Sequence, residues 1–216
     1  DNINILPIFS KNLHVEKVHK HSIEDLTASQ LQLKQLCHSF NEIQPIGTLL
    51  GFCKTIDQAN TLCKSFELVS HLNAHAVISI TAARGRGKSA ILGLIVSGAI
   101  AAGLSNIYVI APGPENLVTF FEFVRKGLIG LGYNEKSDYN LLTSVRDNQK
   151  LITSIKITRN HRQNVQYIFP KEAASIHNAE LIVCDEAAAI PLPYVKKLVG
   201  SHLLILSSTV NGYEGT

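Results

Sequence analysis

The segment Gly85-Arg86-Gly87-Lys88-Ser89 constrains this 216-residue chain more than any other. It follows Ala76-Val77-Ile78-Ser79-Ile80-Thr81, a β-branched run that suits a buried parallel strand. It precedes Ala90 to Leu104, an apolar stretch rich in glycine and alanine that reads as a buried helix. A glycine-rich turn between a strand and a helix aims backbone N–H groups and the positive end of a helix dipole at one point. That point suits a phosphate. The pattern G-x-x-x-x-G-K-[ST] is met at Gly87, Lys88 and Ser89, and departs at the first glycine, where Ala82 stands. Lys88 would then bring its charge to the β- and γ-phosphates, and the Ser89 hydroxyl would ligate Mg2+. Arg84 and Arg86 add charge at the rim. The competing reading is a basic turn that happens to contain Gly-Lys-Ser.

A P-loop nucleotidase also needs an acid at the end of another strand to hold the magnesium. Leu181-Ile182-Val183-Cys184 is a buried-strand pattern that delivers Asp185 and Glu186 to the carboxyl edge of a sheet. Asp185 is expected as metal ligand and Glu186 as the general base for an attacking water. The alternative is a pair of solvated acids at a strand end. Leu203 to Ser207 reads as the last strand and runs into Ser208-Thr209, a segment like the Ser-Ala-Thr element that couples nucleotide to nucleic acid in helicases. Gln58 is a candidate adenine reader.

Strands after Ala76 alternate with helices, which predicts an α/β P-loop NTPase core of the RecA-like helicase type. The sheet should be mostly parallel, with helices on both faces. Helices are expected over Ile23–Phe40, Thr55–His71, Glu115–Leu131 and Pro191–Val199, with Thr55 as an N-cap. Strands are expected over Asn106–Ala111, Leu151–Thr158 and Val165–Phe169. Gly132 to Gln149 reads as polar loop apart from Tyr139 to Leu142. Residues 1–50 are expected to be a lead-in and helical linker from a preceding domain, and residues 51–216 the nucleotide-binding lobe.

Composition sets only outer bounds. A hydrophobic content of 45% supports one packed domain, and a net charge of +3 neither demands nor excludes nucleic acid. The four cysteines form no CxxC pair and read as free thiols. No uncharged apolar run reaches the ~18 residues that span a bilayer, so no membrane partner is expected. The chain begins at Asp1 and lacks methionine, as expected of an internal piece of a longer protein.

Several longer stretches carry a resemblance. Thr81 to Ala90 (TAARGRGKSA), Glu180 to Pro193 (ELIVCDEAAAIPLP) and Ser207 to Thr216 (SSTVNGYEGT) look like the helicase-domain motifs of the RNA cytidine acetyltransferases. Further matching segments are Asn4–Ile8, Lys54–Ala59, Pro114–Gly127 and His161–Pro170. The resemblance implies a multi-domain enzyme that acetylates N4 of cytidine in ribosomal (18S type) and transfer RNA from acetyl-CoA, supported by ATP. It also implies small-subunit ribosome biogenesis, a nuclear and nucleolar location, ribosome-assembly and tRNA adaptor partners, and a homodimer of the full-length protein. By matched position, Gly85, Arg86, Gly87, Lys88, Ser89 and Ala90 would contact ATP, and Asp185 and Glu186 would serve Mg2+ and hydrolysis. The second helicase lobe, its arginine, and the acetyl-CoA site would lie outside this chain.

Arg159, His161, Arg162, Gln163 and Tyr167 gather around one expected strand. Cationic and aromatic groups together suit single-stranded RNA. An ordinary solvated strand edge explains them equally well. Arg162 and Gln163 are assigned, as a hypothesis, to the nucleotide or RNA side of the sheet. Two other functions stay open: an RNA helicase or RNA-stimulated ATPase without transferase activity, and an assembly module switched by ATP without turnover.

Overall fold

The computed structural model describes residues 27–70, 76–146 and 148–210. The first expected helix is described as α1 (Ala28–Ser39), which opens on a capping box. Thr27 Oγ1 accepts from Gln30 N at 3.4 Å, and the Gln30 side chain accepts from Thr27 N at 2.9 Å. A short α2 (Ile46–Leu50) follows, then α3 (Ile56–Ser70), whose Gln58 N–H donates to Thr55 Oγ1. The lead-in Asp1 to Lys20, the residues of the first helix before Thr27, His71 and the closing Gly212 to Thr216 lie outside the described residues.

The remaining elements are β1 (Val77–Ala82), α4 (Lys88–Ala101), β2 (Asn106–Ile110), α5 (Val118–Gly130), β3 (Tyr139–Arg146), β4 (Gln149–Ile157), β5 (Gln163–Ile168), β6 (Leu181–Cys184), α6 (Leu192–Lys196) and β7 (Leu203–Thr209). Short 3-10 turns at Pro114–Leu117, Pro170–Ser175 and Ala187–Ala189 link them. The strands form one seven-stranded sheet in the order β1-β7-β6-β2-β5-β4-β3. From β1 to β5 every pairing is parallel; β5–β4 and β4–β3 are antiparallel. The expected mostly parallel sheet is therefore observed, with an antiparallel flank.

That flank corrects one expectation. Residues 132–149 are not simply loop, because Tyr139 to Arg146 pairs along its length with β4. Only Tyr139 of this strand is buried and the residues from Thr143 onward are exposed. Such a strand has no apolar alternation to announce it.

The two faces are covered unequally. One carries α3, α4 and α5, with Leu49, Leu62, Ile95, Phe120, Val109 and Ile205 in a continuous core. The other is closed by the 3-10 turn Pro170–Ser175 and α6 over Ile110, Ile182, Cys184 and Leu204. Helix α4 is buried on every side from Ile91 to Ile100, as expected of a helix that is apolar all round. It can approach α5 closely because Gly93 has no side chain; a Cβ there would stand 2.5 Å from Phe120 O. Ser97 Oγ closes the same contact by donating to Val124 O at 3.1 Å.

The described part of the linker expected over residues 1–50 belongs to this packing. Leu49 and Leu50 are fully buried in the main core, and Leu33, Leu36 and Phe40 of the preceding segment lie against it. The lobe's packing thus includes α1, and residue 50 marks no boundary in it.

Candidate functional site

The site forms where β1, β7 and β6 end. Beyond Ala82 the chain turns through residues 83–86 and enters α4 at Lys88. Gly85 (φ 78°) and Gly87 (φ 80°) are both left-handed, a conformation that a side chain strains. A Cβ on Gly87 would also stand 2.5 Å from Gln58 Nε2, so that side chain would have to move aside. Lys88 Nζ donates to the carbonyls of Ala82 at 3.0 Å and Ala83 at 3.2 Å, so its ammonium lies against the loop. Ser89 and Ala90 occupy the first turn of α4, and Arg84 and Arg86 are exposed at the rim. A cleft of about 350 Å³ opens beside the loop, lined by Thr55, Gln58, Thr61, Ala82, Arg86 and Lys88.

Gln58 lines that cleft, but both ends of its amide are engaged by backbone. Its Nε2 donates to Arg86 O at 2.9 Å and its Oε1 accepts from Lys54 N at 2.9 Å. The side chain braces the phosphate loop against the start of α3. One N–H and one oxygen lone pair of the amide remain for a further partner such as an adenine edge.

One strand, β7, stands between the loop strand β1 and the acid strand β6. Two strand spacings amount to about 10 Å, enough for a phosphate chain between them. Asp185 sits at the end of β6 and is only 1% exposed. Its Oδ1 accepts from Glu186 N at 3.0 Å, whereas its Oδ2 is buried without a hydrogen-bond partner among the described residues. Ser207 on β7 is fully buried and its Oγ is likewise unpartnered among them. It pairs with Ile80 of β1 on one side and lies one residue beyond the Cys184–Leu206 pair on the other. An orphaned buried carboxyl oxygen is costly unless something arrives to use it.

These residues fit a nucleotide with a divalent cation. The loop offers an ammonium and the N-terminal end of a long helix, and Asp185 offers a hard oxygen ligand in a buried position. Burial pushes the adjacent Cys184 thiol up to about 12, with the charge of Asp185 adding to the effect. All four cysteines are free thiols, as expected.

Glu186 adopts a left-handed backbone (φ 52°, ψ 48°) that ends the strand geometry right after Asp185. Its Oε2 accepts from Asn116 Nδ2 at 3.0 Å. Asn116 lies in the 3-10 turn that follows β2, on the other side of β6 from the phosphate loop. The sequence offers no local signal for this contact, because 70 residues separate the partners.

The cluster assigned to RNA falls elsewhere. Gln163 is 5% exposed and donates to Ile100 O at 2.8 Å and Leu104 O at 2.9 Å, which satisfies the end of α4. His161 Nε2 lies 3.1 Å from Gly103 O in the same region. Arg159 donates to Gly132 O at 3.1 Å and stacks 4.5 Å over the Tyr133 ring. Tyr167 is buried with its hydroxyl toward Ala111 O. Arg162 and Gln163 stand at the start of β5, whereas the phosphate loop lies where the parallel strands end. They are therefore not on the nucleotide side; most of this cluster anchors β5 and the β4–β5 turn to the ends of α4 and α5.

Residues 79–216 match the family described as RNA cytidine acetyltransferase NAT10/TcmA, helicase domain. The chain belongs to this family. It is 47% identical over its full length to the RNA cytidine acetyltransferase of Homo sapiens and 43% identical to that of Saccharomyces cerevisiae, covering 21% and 20% of those proteins. It thus spans about a fifth of the relatives' length. Among solved structures, the large terminase of a thermophilic bacteriophage aligns with a TM-score of 0.46 at 11% identity, over 67% of this chain and 38% of that one. The RecA-like P-loop fold itself rests on the order β1-β7-β6-β2 and on the glycine loop between β1 and α4.

Proposed function

We propose that this lobe binds Mg-ATP between the β1–α4 loop and Asp185, and that binding or hydrolysis supports N4-acetylation of cytidine in RNA by the longer protein. Its substrates would be ribosomal and transfer RNA, with a role in small-subunit ribosome assembly and a nucleolar location. One observation carries the nucleotide reading. The left-handed glycine loop and a buried, unpartnered Asp185 oxygen stand two strands apart on the same sheet edge.

Each residue has a task in this reading. Lys88 would leave the Ala82 and Ala83 carbonyls for the β- and γ-phosphates. Ser89 and Asp185 would hold Mg2+, which supplies charge neutralisation on the phosphates. Glu186 would take the proton of a water whose oxygen bonds to the γ-phosphorus as the bond to the β-phosphate oxygen breaks. Acetyl-CoA would bind in another part of the longer protein.

The test is made on the full-length protein. Lys88→Ala should lose both Mg-ATP binding and RNA acetylation. Glu186→Gln should keep binding and lose hydrolysis. Wild-type acetylation by Lys88→Ala would falsify the coupling, and undiminished Mg-ATP affinity in it would remove the site.

A further inference from the structure

Glu186 is the residue placed to serve as base, yet its carboxylate is engaged on the wrong side of its strand. The neighbours of β6 are β7, toward the phosphate loop, and β2, away from it. Asn116 follows β2, and it is Asn116 that holds Glu186 Oε2 at 3.0 Å. The strand before Asn116 is three strand spacings, about 14 Å, from the loop strand. Asp185, the preceding residue, is by contrast buried beside Ser207 of β7. Asp185 is thus enclosed at the end of β6, whereas Glu186, half-buried and in a left-handed backbone, is the acid that Asn116 holds.

The amide is also fixed in orientation. Gly113 N donates to Asn116 Oδ1 at 3.1 Å, so the amide oxygen is already used and the NH2 group must face Glu186. Asn116 itself lies in a turn that opens with Pro114 and is followed at once by α5. A carboxylate bound by a fixed amide donor is both displaced and less available to a water proton.

We infer that Asn116 is a positioning residue that restrains Glu186 in a resting orientation, and that hydrolysis requires the carboxylate to exchange this amide for the attacking water. The inference rests on the nucleotide reading given above. It assigns a function to a residue within the Pro114–Leu117 turn that neither strand chemistry nor the phosphate loop explains. It also gives the lobe a means of binding nucleotide without turning it over until the restraint is released.

The experiment compares wild type, Asn116→Ala, Asn116→Asp and the double variant Asn116→Ala/Glu186→Gln in the full-length protein. Steady-state ATP hydrolysis is measured without RNA, and Mg-ATP affinity and thermal unfolding are measured in parallel. Removing the charge-assisted hydrogen bond to Glu186 should raise kcat about tenfold in both single variants with KM nearly unchanged; melting should fall by a few degrees in Asn116→Ala, which also loses the acceptor for Gly113 N, and by less in Asn116→Asp, which keeps it. Asn116→Asp serves as the second arm because it keeps the shape and replaces the donor by a repelling carboxylate. The double variant should show no hydrolysis, which ties the gain to Glu186. A fall in kcat in folded single variants, an unchanged kcat, or a gain that survives Glu186→Gln overturns the inference. Hydrolysis absent from every variant despite measurable Mg-ATP binding also overturns it. Failure of the wild type to bind Mg-ATP at all would instead overturn the underlying nucleotide reading.

Discussion

Gln58 and Arg86 are joined across 28 residues: the Gln58 side-chain amide donates to the Arg86 carbonyl at 2.9 Å, and its oxygen accepts from Lys54 N. One side chain thereby ties the start of α3 to the middle of the phosphate loop. Gln58→Ala removes both bonds, each worth about 1 kcal/mol net. The expected result is a melting temperature lower by about 4–8 °C in a domain of this size. Mg-ATP affinity should fall several-fold as the loop loosens. Gln58→Glu keeps the bond to Lys54 N and loses the donor to Arg86, so it should weaken nucleotide binding with a smaller effect on melting. Equal effects of the two variants on both readouts would argue against a separate brace on the loop.

Asp185 and Ser207 are buried neighbours whose outer oxygens have no partner among the described residues. A site of this kind trades stability for binding. Asp185→Asn keeps the shape and removes the burden of a buried charge. Without nucleotide, the variant should be at least as stable as the wild type, by up to about 1–3 kcal/mol. The increment in stability that the wild type gains from Mg-ATP over ATP alone should vanish. Denaturant unfolding with and without Mg2+ and ATP measures both quantities. A variant that is less stable without ligand yet retains the Mg2+ increment would show that Asp185 serves the fold and not the metal.

Cys53 and Cys184 give the lobe a dependence on high pH. Burial raises both thiols from the ordinary 9.0 to about 12. The folded state therefore holds its protons where the unfolded state has lost them. Stability from this source is complete below about pH 9 and declines as pH rises from 9 toward 12. At about pH 10.5 the loss is at most about 2 kcal/mol for each thiol. Urea unfolding at pH 8 and pH 10.5 should show the decline, and Cys184→Ala should reduce it. In native protein at pH 8, the half-buried Cys37 and Cys63 should react with a thiol reagent well before Cys53 and Cys184.

The phosphate loop and the Asp185-Glu186 pair were legible because each is contained in a few residues and follows an apolar strand. The order of strands was legible only as a class, since nothing local says that β7 enters between β1 and β6. Only the outer half of β3, Thr143 to Arg146, escaped, because its residues are all exposed and leave no period to detect. Asn116 escaped for a different reason: its partner is brought to it by the pairing of β2 with β6, a fact of topology. Gln163 was misjudged by composition. A glutamine among arginines and histidines reads as surface, but β5 lies between β2 and β4 and its first residue is inside.

Gln163 supplies the test that separates its structural role from the RNA contact assigned on composition. Helix α4 ends at Ala101, and its terminal carbonyls need donors that the helix cannot supply. Gln163 Nε2 gives hydrogen bonds to Ile100 O and Leu104 O, both in a buried setting. Gln163→Ala leaves these acceptors without that donor and opens a small cavity. The expected cost is about 1–3 kcal/mol, because Leu104 O loses this donor while Ile100 O still accepts from Gly103 N at 3.0 Å. Because the residue stands at the far edge of the sheet from the glycine loop, Mg-ATP affinity of the folded fraction should not change. Arg162→Ala next to it should alter stability by less than about 0.5 kcal/mol, as for an exposed charge at the entry to a strand. Chemical denaturation and nucleotide titration of the two single variants decide the matter. A stable Gln163→Ala variant with weakened RNA binding would return this residue to the RNA surface, and a destabilised one with normal affinities confirms it as the support for the end of α4.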